Sequence, residues 1–77
     1  MNTAVYVVLY HTESGDRGVV GYFLKEPTDG HLTAYFRALM PDEFVKEGRQ
    51  TRRYVFWEVQ RLTLEALPKA VSPIQSI

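Results

Sequence analysis

Four aromatic side chains, in two pairs, are the residues of this sequence best suited to bind another molecule. Tyr6 and Tyr10 occupy one alternating face of an apolar segment near the N terminus, and Tyr54 and Phe56 share a face of a second segment. Aromatic rings on an open sheet can stack on unpaired bases, and they also anchor the centres of protein interfaces. We therefore predict that these four rings form a partner-binding surface.

A basic segment directly precedes the second aromatic pair. Four of the nine basic residues lie within eight positions, at Lys46, Arg49, Arg52 and Arg53. Arg61 follows on the next predicted strand, and arginine suits bidentate contacts with phosphate or carboxylate groups. The alternative interpretation is a solvated loop that Glu43 and Glu47 partly neutralise. We predict these five cations as basic contact residues.

The residues that could support catalysis or metal binding do not form a pattern. His11, Glu13 and Asp16 lie near one predicted turn, but metal sites need three or four ligands in a defined geometry, and His31 is distant in sequence. Ser14 has neither a nucleophile elbow nor a phosphate-loop glycine pattern around it. We predict no catalytic residue, no metal ligand, no cofactor and no enzymatic activity.

The length and composition restrict how this chain can be stabilised. Seventy-seven residues make one small domain, and the absence of cysteine excludes disulfides and thiolate metal sites. Oligomerisation or partner binding is therefore the expected additional source of stability. The formal net charge of zero counts against a dedicated nucleic-acid-binding protein, which usually carries a basic excess.

The apolar segments are too short for export or membrane insertion. Residues 4–10 are only seven in number and no basic region precedes them, unlike a signal peptide. No run approaches the ~18 apolar residues that span a bilayer. We predict a cytoplasmic protein without a membrane partner.

Strand and helix patterns alternate in the order ββαβ. Residues 4–10 and 19–25 predict two strands joined by a hairpin loop at 13–18, and residues 54–64 predict a third, long strand. Between them, apolar residues at helical spacing predict an amphipathic helix over 29–40, with Thr28 as its N-cap. Residues 41–48 predict a short second helix, followed by a basic loop over 49–53.

These elements predict an α+β fold with a three-stranded antiparallel sheet of order 2-1-3. A right-handed crossover places the third strand beside the first, with the helix on one face. The face towards the helix residues Leu32, Phe36 and Leu39 is predicted to carry Val5, Val7, Leu9, Val55, Trp57 and Val59. The opposite, open face is predicted to carry Tyr6, Val8, Tyr10, Tyr54 and Phe56.

The chain is predicted to divide into a domain over residues 1–66 and a tail over residues 67–77. The tail is apolar but contains Pro68 and Pro73, so we expect it to be extended and packed on this domain or on a neighbour. The open sheet face could be covered by this tail, by a protein partner or second copy, or by nucleic acid.

The hairpin residues Glu13-Ser14-Gly15-Asp16, the helix start at Pro27-Thr28 and the strand over 54–59 resemble small uncharacterised ββαβ proteins of phages and mobile elements. The resemblance spans most of residues 3–68. No family function comes with the resemblance, which implies only that small phage-type proteins often work by binding and inhibiting a host complex.

These observations predict a small protein-interaction module, an inhibitor or adaptor that self-associates as a homodimer. It would use the aromatic face and the edge of the last strand, which can add a strand from a partner. The alternative is a nucleic-acid-binding domain that uses the same aromatic rings with Arg49, Arg52 and Arg53.

Overall fold

A computed structural model describes residues 3–74. The strands are β1 (Ala4–Thr12), β2 (Arg17–Phe23), β3 (Phe44–Glu47), β4 (Gln50–Arg53) and β5 (Val55–Thr63), and the helix α1 spans Asp29–Leu39. Two 3₁₀ turns follow α1 and β5, at Pro41–Glu43 and Leu64–Ala66. The chain is therefore α+β, as predicted.

The main sheet has three antiparallel strands in the order β2-β1-β5. This confirms the predicted order 2-1-3, with β5 as the predicted third strand. β5 pairs with β1 along its whole length, from Thr63 opposite Ala4 to Val55 opposite Thr12. The β1–β2 register shifts after Val8, so this pair of strands contains a bulge.

Helix α1 forms because its N-terminus is capped and one of its faces is apolar. The Thr28 hydroxyl accepts a hydrogen bond from the His31 backbone N–H at 3.1 Å, which confirms the predicted start. Leu32 and Phe36 are buried against the sheet, as expected. The prediction for Leu39 is wrong, since this side chain is 49% exposed.

The two faces of β1 are the reverse of the prediction. Tyr6, Val8 and Tyr10 belong to the helix side: Val8 lies in the buried cluster with Phe36, and both tyrosines pack against that cluster. Val5, Val7 and Leu9 therefore point to the other face. On β5 the prediction is confirmed for Val55, Trp57 and Val59, all of which belong to the helix-side core.

Glycines in β2 explain why the tyrosine face of β1 fits under the helix. Gly18 lies opposite Tyr10, and a Cβ added at Gly18 would approach the tyrosine ring to 3.2 Å. Gly21 lies opposite Val8. The missing side chain at Gly18 leaves the space that Tyr10 fills, and Tyr10 in turn reaches Phe36 with 6.3 Å between ring centroids.

The second face of the sheet is covered by the segment that follows β5. Leu64 donates a backbone hydrogen bond to Thr3 beside β1, whereas Ser72 and Ile74 bond to Tyr22 at the opposite edge. Residues 64–71 must therefore cross the sheet, and α1 already occupies the other face. Because Val5 and Val7 are 0% and 5% exposed, we conclude that this crossing segment covers them.

The predicted tail is partly extended and packs on its own domain. Pro73 forms a parallel bridge with Tyr22, and Ile74 packs against the core. The last three residues of the predicted tail, 75–77, lie outside the described residues.

The predicted second helix and basic loop are wrong. Only Pro41–Glu43 is helical, as a 3₁₀ turn, and residues 44–53 form a two-stranded antiparallel hairpin of β3 and β4. Gly48 and Arg49 make its two-residue turn. Gly48 has a φ of 64° and Arg49 a negative φ, the combination that a type II′ turn requires.

Replacement of Phe36 by Ala tests the helix-side core. Phe36 is 0% exposed, so Phe36→Ala should lower the free energy of unfolding by about 3–5 kcal/mol. The control Leu39→Ala, at the exposed position on the same helix, should cost less than about 1 kcal/mol. Urea unfolding followed by far-UV circular dichroism measures both. Similar losses for the two variants would contradict the packing of α1.

Replacement of Gly21 by Ala tests the docking of the tail. A Cβ at Gly21 would lie 2.5 Å from the Ser72 carbonyl oxygen, and its φ of 155° disfavours other residues. Gly21→Ala should therefore detach residues 72–74 and accelerate hydrogen exchange at the Ile74 amide. The control Gly30→Ala, with no atom within 4 Å of the added Cβ, should leave that exchange unchanged. Equal protection in both variants would contradict this docking.

Candidate functional site

The hairpin of residues 44–53, here named the basic arm, is exposed along almost its whole length. Every residue from Val45 to Arg53 is exposed, and only Phe44, at the base, is half-buried. The arm carries four basic residues and one acidic residue, a net charge of +3 in a chain whose total is zero. The rest of the chain consequently carries −3, and two of its acidic residues, Asp42 and Glu43, directly precede the arm.

Basic residues lie on both faces of the basic arm and at its tip. In an antiparallel pair, directly opposite residues share a face. One face therefore carries Phe44, Lys46, Thr51 and Arg53, and the other carries Val45, Glu47, Gln50 and Arg52. Arg49 occupies the turn at the tip. Each face and the tip consequently present at least one cation.

The base of the basic arm is fixed by arginine–aromatic contacts. The Arg53 guanidinium carbon lies 4.1 Å from the centroid of the Trp57 ring. Phe36 stacks on Trp57 with 4.7 Å between centroids and an interplanar angle of 3°. Because Phe36 occupies one face of the indole, Arg53 lies on the other, and the ring is held between the core and the arm.

Two further cations stack on rings beside the arm. Arg52 lies 5.1 Å from the Tyr54 ring, and Arg37, from the last turn of α1, lies 5.3 Å from the Phe44 ring. A stacked guanidinium keeps its N–H donors at its edge, available for a phosphate or carboxylate. Arg37 is a cation of this site that the sequence prediction missed, because it lies on a different element from the basic cluster.

The structure does not bring the four predicted aromatic residues onto one surface. Tyr6 and Tyr10 are half-buried on the helix side, which corrects their predicted place on an open face. Tyr54 is half-buried at the base of the basic arm. Phe56 alone is exposed on the opposite face, at 38%, where its ring stacks on His11 with 5.3 Å between centroids.

The five predicted basic contact residues are also divided. Lys46, Arg49, Arg52 and Arg53 lie together on the basic arm. Arg61 is exposed near the other end of β5, opposite Tyr6. The predicted basic site is therefore the arm without Arg61.

A shallow cavity of about 570 Å³ lies at the end of the sheet that the tail does not cover. Its lining includes Leu9, His11, Arg17, Val19 and Glu58. These side chains mix apolar groups with both signs of charge and give no single ligand chemistry. Among residues 3–74, no three histidine or acidic side chains lie together as metal ligands would.

Two other observations concern the environment of the site. Partial burial raises the pKa of the Tyr35 hydroxyl, which therefore contributes no charge near neutral pH. No helix in the described part of the chain has the length and apolar character needed to cross a bilayer. Neither observation changes the candidate site, which consists of the cations and rings of the basic arm and its base.

No family model matches this chain, and no curated protein or solved structure matches it. The fold and the site together define a small α+β domain with a projecting basic hairpin.

Removal of the Arg53 side chain tests the contact between the arm and the core. Arg53→Ala should lower the free energy of unfolding by about 0.5–1 kcal/mol, the usual contribution of an exposed cation–π contact. It should also increase acrylamide quenching of Trp57, the one tryptophan of the chain. The control Arg49→Ala removes a cation at the tip and should change neither quantity. Unchanged quenching in Arg53→Ala would contradict the stacked geometry.

Proposed function

We propose that this protein binds nucleic acid through the basic arm. The observation that carries the proposal is the distribution of charge on residues 44–53, with cations on both faces and at the tip and a net charge of +3. Electrostatic attraction reaches about 8 Å at physiological ionic strength, so a polyanion near the arm interacts with this local charge rather than with the net charge of the chain.

The composition of the arm favours a phosphate partner over a protein partner. The centre of a protein interface is usually apolar or aromatic, with charged residues at the rim. Of the exposed residues of the arm, Val45 is the apolar one, at 40% exposure. Charge on both faces suits an element that lies between two phosphate backbones.

The size of the arm fits a groove of duplex nucleic acid. Four residues per strand give a length of about 13 Å, and two strands lie about 4.8 Å apart. The major groove of B-DNA is about 12 Å wide and admits a two-stranded ribbon. Gln50 and Thr51, next to the turn, carry the donor, acceptor and methyl groups that can contact base edges.

The salt dependence of binding tests this proposal. If the four cations of the arm contact phosphates, log K should fall with log salt at a slope of about −3.6 for duplex DNA and about −2.8 for a single strand. Lys46→Ala combined with Arg49→Ala should about halve the slope, because neither residue takes part in the ring contacts at the base. Fluorescence anisotropy with a labelled 25-base strand and its duplex measures both quantities.

A matched control separates local from total charge. Lys25→Ala combined with Lys69→Ala also removes two cations, but from outside the arm, and should leave the slope unchanged. Equal effects of the two double variants would show that binding depends on total charge and would contradict a site on the arm. Absence of binding to any probe at low salt would overturn the proposal.

A second candidate is the protein-interaction module predicted from the sequence, an inhibitor or adaptor in the cytoplasm. It is supported by exposed apolar residues on the tail side of the sheet, where Phe56 and Val19 are 38% and 49% exposed. Affinity purification from a host lysate with nuclease separates the candidates. A single protein retained through nuclease and lost in Phe56→Ala, but not in the arm variant, would favour this second function.

A further inference from the structure

The outer edge of β5 offers a backbone surface for another strand. β5 has nine residues and pairs with β1 on one side. Glu13 N donates to Tyr54 O at 2.9 Å and Leu64 N donates to Thr3 O at 2.7 Å, both in the β1–β5 register. Both hydrogen bonds involve even-numbered residues, one directly beyond each end of β5. The even-numbered residues of β5 therefore direct their backbone groups towards β1. The odd-numbered residues therefore direct their N–H and C=O groups outwards.

Among residues 3–74, no strand pairs with the outer edge of β5, and the open part of this edge begins at Trp57. Val55 is 0% exposed, so its outward groups are covered, whereas Trp57, Val59 and Thr63 are half-buried and Arg61 is exposed. A long strand edge with free backbone groups is a template for a further strand, and natural proteins usually cover it or pair it.

We propose that a second copy of this chain pairs with this edge, with β5 antiparallel to β5 about a two-fold axis at Val59. The outward groups of Trp57, Val59 and Arg61 then face those of the partner's Arg61, Val59 and Trp57. Each of these facing pairs exchanges two hydrogen bonds. The product is one continuous sheet of six strands, three from each copy.

The side chains of β5 are self-complementary in this register. Phe56 and Leu62 are both exposed apolar residues on the tail side, at 38% and 39%, and each lies opposite the other in the partner. Glu58 lies opposite the partner's Gln60, and an amide can donate to a carboxylate. Trp57 lies opposite the partner's Arg61. The register therefore buries an apolar pair on each side of the axis and places no like charges opposite each other.

Neighbouring registers lose this complementarity. An axis at residue 58 places Glu58 opposite the partner's Glu58, and an axis at residue 61 places Arg61 opposite Arg61; like charges directly opposite are destabilising. An axis at residue 57 places Phe56 opposite the partner's Glu58, and an axis at residue 60 places Leu62 opposite the same carboxylate. The sequence of β5 thus selects the axis at Val59.

A proline at position 61 tests the use of the edge. The N–H of Arg61 points outwards, so Arg61→Pro removes a bond to the partner but none to β1, and edge strands tolerate proline in this orientation. Arg61→Ala removes the same side chain and keeps the N–H. In sedimentation equilibrium the wild type should be a dimer, and the dimer dissociation constant of Arg61→Pro should exceed that of Arg61→Ala by at least about tenfold.

Single cysteines test the register, because the natural chain contains none. Phe56→Cys and Leu62→Cys face each other in the proposed pair, at the ~4.5 Å Cα separation of a non-hydrogen-bonded pair, which a disulfide can bridge. A mixture of the two variants under mild oxidation should give the crosslinked heterodimer. Phe56→Cys alone should not, since its two copies would be about 20 Å apart along the strands.

The dimer and nucleic-acid binding are proposed for different parts of the chain, β5 and the basic arm, so the two proposals can fail separately. A wild type that stays monomeric at protein concentrations up to about 1 mM would overturn the proposed dimer, because specific dimers usually form well below this concentration. An unchanged dimer in Arg61→Pro, or crosslinking of Phe56→Cys as readily as the mixture, would overturn the β5 interface. Circular dichroism of Arg61→Pro verifies that the fold is retained.

Discussion

The parallel stack of Phe36 on Trp57 is the contact on which the rest of the described structure depends. It joins α1 to β5 with 4.7 Å between ring centroids. β5 is an edge strand with a neighbour on one side, so its position on the sheet relies on the helix as well as on β1. Arg53 occupies the second face of the same indole, at 4.1 Å. The orientation of the basic arm is therefore tied to the core, and an arm of exposed residues gains a fixed base.

The three-stranded sheet has two faces that other segments must cover. Among residues 3–74, α1 is the one α-helix that can cover a face. The tail supplies the second layer by crossing from β5 to the far edge of β2, which buries Val5 and Val7. Gly21 permits the close approach of the tail backbone, since a Cβ there would meet a carbonyl oxygen at 2.5 Å. The tail does not reach the whole face, and Phe56 and Val19 stay exposed at its uncovered end. This incomplete cover is what leaves apolar surface for association.

The sequence was sufficient to predict the order of β1, β2, α1 and β5, the strand order of the main sheet and the apolar face of β5, because these follow from periodicity and capping. It was insufficient for the faces of β1, which is apolar on both sides; the information lay instead in β2, where Gly18 leaves space for Tyr10. The wrong faces of β1 also made the predicted partner-binding surface wrong, because that surface included Tyr6 and Tyr10. Four of the five predicted basic residues lie together on the hairpin, but Gly48 suits the end of a helix and a hairpin turn equally well, so their strand geometry was missed.

The charge of this chain illustrates why a neutral composition does not exclude a polyanion partner. A net charge of +3 on the basic arm and −3 elsewhere cancel in the total, although the arm itself stays basic. Pairing of β5 about Val59 would place Tyr54, at the base of the arm, about 34 Å from the partner's Tyr54 along the strands. One turn of duplex DNA is about 34–36 Å. Because two arms on one duplex bind with a high effective concentration, the dimer and the nucleic acid would stabilise each other.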